Sequence, residues 1–445
     1  MTVQEMKKAA CEVIDKHAEE LIALNQSIFE EPELGYKEFK TAEKVKAHLD
    51  KLGLKYKDGV AITGILTPLE GRDHKAKIAI MGELDAVVVP NHPYADPVTK
   101  AAHCCGHNSQ ATSVVGVAYA LVEAGIMQHL DGDITLMHVP SEEFVELEYR
   151  KSLIDEGKIK LLGGKQEFIR LGVFDDIDMM FMQHTSPSEN VDGTELTPIK
   201  ADGGGTVGKG FHGRLIQYLG KESHAAMPSQ GINALKAAQL GLQCIDANRE
   251  TFLDEDGIRV HPIITKGGDL VNVVPADVRL ETYVRGQNTK AINEAAFKVD
   301  RALKAGADAL GAEVKITHLP GYMCPAESSE LKDVVFDNLK YVYGEEHAVR
   351  DGRGGSTDAS DVAHLIPTVH MRIGGAAGIF HGETYCLPRP DIAVIGAAKA
   401  LVCTAIDLLA EGAEKALHVK NSFVAPMTKE EYLTEWCRLE KGKDF

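Results

Sequence analysis

Hydrophobic and polar positions along the first 200 residues alternate between helical and strand-like patterns. The segments with helical spacing are residues 4–28, 38–52 and 109–124. The short apolar runs typical of buried strands are residues 77–82, 133–139 and 178–183. Strands that alternate with helices predict the α/β fold class, with a mainly parallel sheet covered on both faces. Ligand sites in such sheets collect beyond the carboxyl ends of the strands.

The middle third of the chain shows a different order of elements. After a glycine-rich junction at residues 203–210, the pattern predicts a strand, a helix, two strands, a helix and a strand. Their ranges are 213–220, 233–248, 259–266, 277–285, 288–310 and 312–318. This βαββαβ order predicts a ferredoxin-like unit inserted into the α/β domain. The predicted parts are residues 1–207, the inserted domain 208–320 and residues 321–445, the last with a long helix over residues 390–416.

The composition excludes some classes of partner. The chain has 445 residues and a net charge of −18, so we expect neither nucleic acid nor an anionic membrane to bind it. The first 20 residues lack the apolar segment of a secretory signal, and no window approaches the ~18 apolar residues of a membrane span. Its 8 cysteines have irregular spacings, unlike a disulfide framework. Together these features predict a cytoplasmic protein.

Cys105 and His107 form the strongest local signal for chemistry. They stand two residues apart in the segment His103-Cys104-Cys105-Gly106-His107-Asn108, directly before a predicted buried helix. A thiolate and an imidazole at this spacing in a loop can reach one metal ion. Cysteine and histidine near a buried helix start are also common in ordinary packing, so this pair alone leaves both interpretations open.

Pairs of carboxylates follow two of the predicted strands. Glu142 and Glu143 come after an apolar strand, and burying two adjacent charges is costly unless they are paired or bind a metal. One could bind a metal while the other takes a proton from metal-activated water. Glu83 and Asp85 end another strand and share a face of the extended chain, where either could bind metal or orient a ligand histidine. A solvated surface loop is the alternative for both pairs.

Five further residues are candidates only as a group. His184 follows a predicted strand and His381 follows a glycine-rich apolar stretch, but a lone histidine is usually a hydrogen-bonded core or surface residue. His224, Asn272 and Arg285 lie in loops or at a strand end of the inserted domain. Their polar groups suit a substrate carbonyl and carboxylate. Turn geometry or a surface ion pair would explain each of them singly.

Taken together, these motifs resemble the dinuclear-metal hydrolases that include aminoacylases, hippurate and plant auxin-conjugate hydrolases, carboxypeptidases and aminobenzoyl-glutamate hydrolase. The similarity runs over nearly the whole chain and favours the aminobenzoyl-glutamate branch. The matching motifs are Pro32-Glu33-Leu34-Gly35, Glu83-Leu84-Asp85-Ala86, residues 103–108, Pro140-Ser141-Glu142-Glu143, residues 221–228, residues 272–285 and Gly355-Ser356-Thr357-Asp358 with Asp361. The metal loop followed by the glutamate pair is the specific part of this pattern.

The resemblance implies a zinc-peptidase-like catalytic domain of the α/β class, interrupted by a ferredoxin-like lid and dimerisation domain. It also implies two divalent metal ions per subunit (zinc, manganese, cobalt or nickel) and a homodimer formed through the lid. The implied metal ligands are Cys105, His107, Glu143, His184 and His381. The other implied roles are Glu142 as general base, Asp85 as the carboxylate behind a ligand, and His224, Asn272 and Arg285 as substrate-binding residues.

The implied reaction is hydrolysis of an amide-type C–N bond by metal-activated water, in a small substrate such as an N-acyl or aminobenzoyl amino acid. A dipeptidase, a carboxypeptidase or an aminohydrolase that releases ammonia is an alternative on the same fold. Two alternatives of another class are a non-catalytic binding subunit and a redox or metal-storage protein using Cys104 and Cys105. The first does not need a general base, and the second leaves Glu142 and the lid motifs unexplained.

Departures from the family pattern bear on the substrate. Glu83 stands where the family has aspartate, and Asn108 stands where aspartate is commoner. The chain is also longer after the glutamate pair, around residues 147–162, and residues 92–100 precede the metal loop. We expect both segments to shape the substrate pocket, which argues against a standard N-acyl amino acid substrate.

Overall fold

The computed structural model describes residues 1–204, 208–326, 328–350 and 355–439. Its strands are β1 (Lys57–Val60), β2 (Gly64–Leu69), β3 (Lys77–Glu83), β4 (Val87–Val88), β5 (Ala101–Ala102), β6 (Asp133–Val139), β7 (Met179–Pro187), β8 (Ala201–Asp202), β9 (Gly210–Leu219), β10 (Arg259–Lys266), β11 (Asp277–Gly286), β12 (Glu313–Leu319), β13 (Ala348–Val349) and β14 (Thr368–Ala376). Its α-helices are α1 (Val3–Lys16), α2 (Ala18–Glu30), α3 (Phe39–Lys51), α4 (His107–Glu123), α5 (Leu147–Asp155), α6 (Gly164–Arg170), α7 (Ala234–Asn248), α8 (Thr289–Leu310), α9 (Ser329–Tyr343), α10 (Ala359–Ala363), α11 (Ala397–Leu409), α12 (Glu414–Ser422) and α13 (Lys429–Glu431).

Eight of the described strands form the larger sheet, in the order β1-β2-β6-β3-β7-β14-β8-β13. Its central strands β6, β3, β7 and β14 run parallel to one another, while β1 and β2 complete one edge in antiparallel orientation. The central strands are almost continuous buried runs, as expected when helices cover both faces of a parallel sheet. The predicted α/β class with a mainly parallel sheet is confirmed.

A second sheet is formed by the middle third of the chain, in the order β10-β11-β9-β12. All of its neighbouring strands are antiparallel. Helices α7 and α8 pack on it, and their buried apolar side chains form a separate core with those of the strands. The chain order is therefore βαββαβ, as the ferredoxin-like pattern predicted.

One helical segment of the described residues, Asp391–Leu409, is long enough and apolar enough to cross a membrane, contrary to the expectation from the sequence. However, 83% of its apolar window is buried inside the protein, where α11 packs against α4 and α9. Its burial is that of a core helix.

The helix also ends earlier than the predicted residue 416, because Asp131 accepts a hydrogen bond from the backbone N–H of Gly412 and fixes a turn there.

The parallel strands place the candidate residues at one edge of the larger sheet. Glu83 is the last residue of β3, and Pro140 and Ser141 connect the end of β6 to the glutamate pair. His184 lies within β7, which is longer than predicted and continues to Pro187. The turn that carries His381 follows β14. Because parallel strands end at a common edge, residues far apart in the sequence meet there.

Candidate metal centre

The loop before α4 presents Cys105 and His107 at the carboxyl edge of the larger sheet. Between them, Gly106 has a φ of 87°, which lies in the left-handed region that favours glycine. A Cβ atom at this position would lie 2.1 Å from Thr185 Oγ1, so a side chain would not fit. This tight turn brings Cys105 Sγ to 3.3 Å from His184 Nε2.

The five predicted metal ligands lie together and form two sets that share Cys105. One set is Cys105, His107 and His184, and the other is Cys105, Glu143 and His381. The donor atoms of each set lie within 4.8 Å of one another. Two sets with a shared thiolate could hold two neighbouring ions. Thiolate and imidazole donors favour zinc-like transition metals over magnesium or calcium.

Hydrogen bonds determine which ring nitrogen two of the histidines turn toward the centre. His107 Nδ1 lies 2.9 Å from the carbonyl oxygen of Asp85 and 3.1 Å from its Oδ1, and His184 Nδ1 lies 2.8 Å from the carbonyl oxygen of Thr185. Each Nδ1–H donates to these oxygens, which leaves Nε2 of both rings as the metal-binding atom. Burial lowers the pKa of His184 to about 4, so this ring is in the neutral form that metals require.

Asp85 connects the histidine loop to the glutamate pair. While its Oδ1 accepts from His107, its Oδ2 accepts the backbone N–H of Glu143 at 2.8 Å. The loop enters the site through Ser141, which has a φ of 57°, and the Ser141 N–H donates to the buried Glu38 at 2.8 Å. Strained backbone held by surrounding contacts is typical of functional sites.

Glu142 is a buried carboxyl among other acids. Its side chain lies beside the first ligand set, with Oε2 3.9 Å from His107 Nε2. Burial, followed by the negative charges of Glu83 and Glu143, raises the pKa of Glu142 well above its usual value. A carboxyl group with a raised pKa binds a proton more readily, which suits a group that takes a proton and later returns it. The geometry therefore suits the role of general base that the sequence predicts for Glu142.

Two buried cations that the motifs did not indicate, Lys165 and Arg150, lie between the glutamate pair and His184 in the sequence. Lys165 Nζ lies 2.5 Å from Glu83 Oε1 and 2.5 Å from Asp358 Oδ1, and all three residues are fully buried. Arg150 donates to the backbone carbonyl of Glu143. This part of the chain therefore supports the metal centre from behind. No residue of 147–162 or 92–100 lines the described cavity, but Leu147 and Leu162 pack against the lining residues Phe144, Phe211 and Tyr322. That the two segments shape the pocket stays a prediction.

A cavity of about 530 Å³ extends from the metal centre to the second sheet. Arg285 lines it from β11, with its guanidinium 5.3 Å from the ring centre of Phe211 and Nη1 3.4 Å from Ser356 Oγ. Among the described residues no carboxylate pairs with Arg285, and its buried Nε lacks a hydrogen-bond partner. In contrast, His224 and Asn272 are exposed in loops beside the second sheet and do not line this cavity.

Comparison with known proteins identifies the family. Residues 79–406, well over half of the chain, match the profile of Peptidase family M20/M25/M40. The chain belongs to the M20 peptidase family. This M20 protein is thus a metal-dependent hydrolase of amide or peptide bonds, and the family and reaction type expected from the motifs are confirmed.

One curated relative and two solved structures match nearly all of the M20 chain. The Xaa-Arg dipeptidase of Mus musculus is 29% identical over 439 residues, which cover 93% of each protein. The solved aminobenzoyl-glutamate utilization protein from Klebsiella pneumoniae superimposes with a TM-score of 0.68 at 18% identity, covering 90% of this chain and 99% of that one. A dinuclear metal-binding M20 peptidase from Bacillus subtilis superimposes with a TM-score of 0.61 at 20% identity, covering 89% and 99%. The two structures support the fold.

Proposed function

We propose that this enzyme hydrolyses a small amide or dipeptide that carries a carboxylate, with two divalent ions held by Cys105, His107, Glu143, His184 and His381. The observation that carries the proposal is the pair of donor sets sharing Cys105 at the end of the cavity. The donors fit metal ions in a further respect. His107 Nε2 and Glu143 Oε1 are buried without a hydrogen-bond partner among the described residues. Buried polar atoms rarely lack a partner, and a bound metal ion would provide one for each of these atoms.

The proposed mechanism assigns proton transfer to Glu142. Ions bound at this site supply polarisation of the scissile carbonyl and a water of lowered pKa. Glu142 takes the proton from the attacking water and returns it to the leaving nitrogen. Asp85 keeps His107 oriented through the hydrogen bond to Nδ1. His224, if supplied by a partner subunit, donates to the oxyanion of the tetrahedral intermediate.

The charges of the cavity favour an anionic substrate. Its described lining carries the cations Arg285, Lys332 and Arg372, whereas the acids among these lining residues are Glu142 and Glu143 of the metal centre. A substrate carboxylate would therefore meet positive charge, while an arginine side chain would find no further acid on this lining. Aminobenzoyl or N-acyl derivatives of amino acids, and dipeptides without a basic side chain, fit this distribution. Because one relative is an Xaa-Arg dipeptidase, a dipeptide ending in arginine must be assayed beside these substrates.

Arg285→Met is expected to raise KM for carboxylate-bearing substrates about 10-fold to 100-fold, because hydrogen bonds to a charged group contribute about 1.5–3 kcal/mol. Steady-state kinetics on a substrate and on its neutral carboxamide analogue measure the effect. The analogue should bind equally to both enzymes. Arg279→Met removes a more exposed guanidinium from the same strand and serves as the control. Equal KM values for wild type and Arg285→Met on the acid would contradict carboxylate binding by Arg285.

We also propose that residues 208–320 form a lid inserted between residues 1–207 and 321–445, and that it forms a homodimer. The edge strand β10 exposes Ile263, and the following loop exposes Leu270 and Val271, all more than half accessible. Exposed apolar groups on a free sheet edge favour association. Asn272 lies on the same loop as Leu270 and Val271, and the exposed His224 lies on the adjacent loop after β9, where it pairs with Val273. A partner's cavity could receive both side chains.

Ile263→Glu is expected to convert the dimer to a monomer and to lower turnover, because a charge at the apolar edge opposes burial. Analytical ultracentrifugation measures the mass, and Val98→Glu, which changes an exposed valine far from β10 in sequence, is the control. Sedimentation of the wild type as a monomer at all concentrations used in the assays would contradict the dimer.

The proposed ions are zinc, manganese, cobalt or nickel, and the proposed location is the cytoplasm. All 8 cysteines are free in the structure, which agrees with a reducing compartment.

The function is tested with the chelated enzyme reloaded with each metal in turn. The panel contains N-acyl and aminobenzoyl amino acids, neutral and Xaa-Arg dipeptides, and arylamines. Metal-dependent turnover of the acidic amides supports the proposal, whereas release of ammonia or a preference for Xaa-Arg dipeptides would replace it.

A further inference from the structure

Glu83 has an unusual contact with the predicted ligand His107. Its Oε2 lies 3.0 Å from His107 Nε2, and both side chains are almost completely buried. The Nδ1–H of His107 donates to Asp85, so in the neutral ring that metal binding requires Nε2 carries a lone pair rather than a proton. Nε2 also has no geometrically acceptable hydrogen-bond partner among the described residues. A lone pair and a carboxylate oxygen at this distance repel each other unless a proton or a metal ion lies between them.

The second set of donors contains the same arrangement. His381 Nε2 lies 3.0 Å from Glu143 Oε1, and this oxygen also lacks a hydrogen-bond partner among the described residues. Two donors that each lie about 2.1 Å from one ion are about 3.0–3.4 Å apart, depending on the coordination angle. Both carboxylate–imidazole pairs therefore have the separation of atoms that share an ion.

We propose that Glu83 is an additional ligand of the ion held by Cys105, His107 and His184. Glu83, His107 and Glu142 also place their donor atoms within 4.8 Å of one another. The inference rests on the proposed metal centre and does not depend on the identity of the substrate.

Hydrogen bonds from neighbouring side chains fix the orientation of the Glu83 carboxylate, as is usual for carboxylates that bind metal ions. Lys165 Nζ lies 2.5 Å from Oε1, and Gln110 Nε2 donates to Oε2 at 2.6 Å. Asp358 fixes Lys165 from the other side at 2.5 Å. Hydrogen-bonded partners of this kind orient metal ligands and commonly affect metal affinity. Lys165 also supplies a positive charge beside Glu83, which a buried carboxylate needs for stability.

The test compares metal binding by wild type, Glu83→Gln and a matched control. Glu189→Gln changes another buried glutamate that is paired with a lysine, at 2.6 Å from Lys200, without a place in either donor set. Each protein is chelated and then titrated with Co²⁺ against a competing chelator, while the visible spectrum reports the coordination of the ion. Glu83→Gln should weaken one of the two sites by at least about tenfold and change its spectrum. Glu189→Gln should match the wild type.

Unchanged affinity and spectrum in Glu83→Gln would overturn the inference and leave Glu83 as a partner of protonated His107. If the variant does not fold, anomalous diffraction from a zinc-loaded crystal of the wild type decides the question. An ion about 2.0–2.2 Å from Glu83 Oε2 supports the inference, and an ion beyond bonding distance overturns it. Metal-loaded wild type without amide turnover would contradict the proposed function alone, whereas wild type that binds no metal would overturn both.

Discussion

Glu142→Gln is expected to lower kcat by about 10²- to 10⁴-fold while the metal content stays unchanged. Glutamine has nearly the same shape as glutamate, but it cannot accept and return a proton. Glu142 is buried beside His107, and it belongs to neither of the two sets that share Cys105. The substitution therefore removes the base and leaves these two donor sets intact.

The measurement combines turnover with metal analysis of the same sample. Glu148→Gln makes the same chemical change at an exposed position on α5 and should retain wild-type kcat. Loss of metal from Glu142→Gln would mean that Glu142 is a ligand rather than the base. Wild-type turnover with full metal content would assign the proton transfer to another group.

Buried strands were predictable from local sequence because their apolar runs are continuous. Strand β6 has the predicted bounds of residues 133–139, and β3 differs from the prediction by one residue. In contrast, residues 4–28 form two helices that separate at His17, whose ring contacts Glu123 on α4. That contact joins segments more than 100 residues apart, so helical periodicity cannot indicate it.

The candidate site shows the same division between local and distant information. The motif pattern predicted the five residues that the structure brings together around Cys105. The role of Lys165 could not be predicted from the sequence. It depends on ion pairs with Glu83 and Asp358, which come from distant parts of the chain. The close packing of the neighbouring Gly164, where a Cβ atom would lie 1.7 Å from the carbonyl oxygen of Pro140, is likewise visible only in the fold.

Cys105→Ala is expected to remove metal from both sites and to abolish turnover. Cys105 belongs to both donor sets, so one substitution takes a ligand from each. Burial and the negative charge of Glu143 raise the pKa of the Cys105 thiol well above its usual value. The thiolate is therefore stable there only beside a cation, and the cation in turn depends on the thiolate. Loss of other single ligands, such as His184, should affect mainly one site.

The neighbouring cysteine provides the matched control. Burial raises the pKa of Cys104 to about 12, and this thiol belongs to neither donor set. Cys104→Ala should therefore keep both ions, whereas Cys105→Ala should contain less than one ion per chain by elemental analysis. Because ligands that bind the folded state stabilise it, a chelator should lower the Tm of wild type and of Cys104→Ala but leave the Tm of Cys105→Ala unchanged. Full metal content in Cys105→Ala would show that the two sites do not share this thiolate.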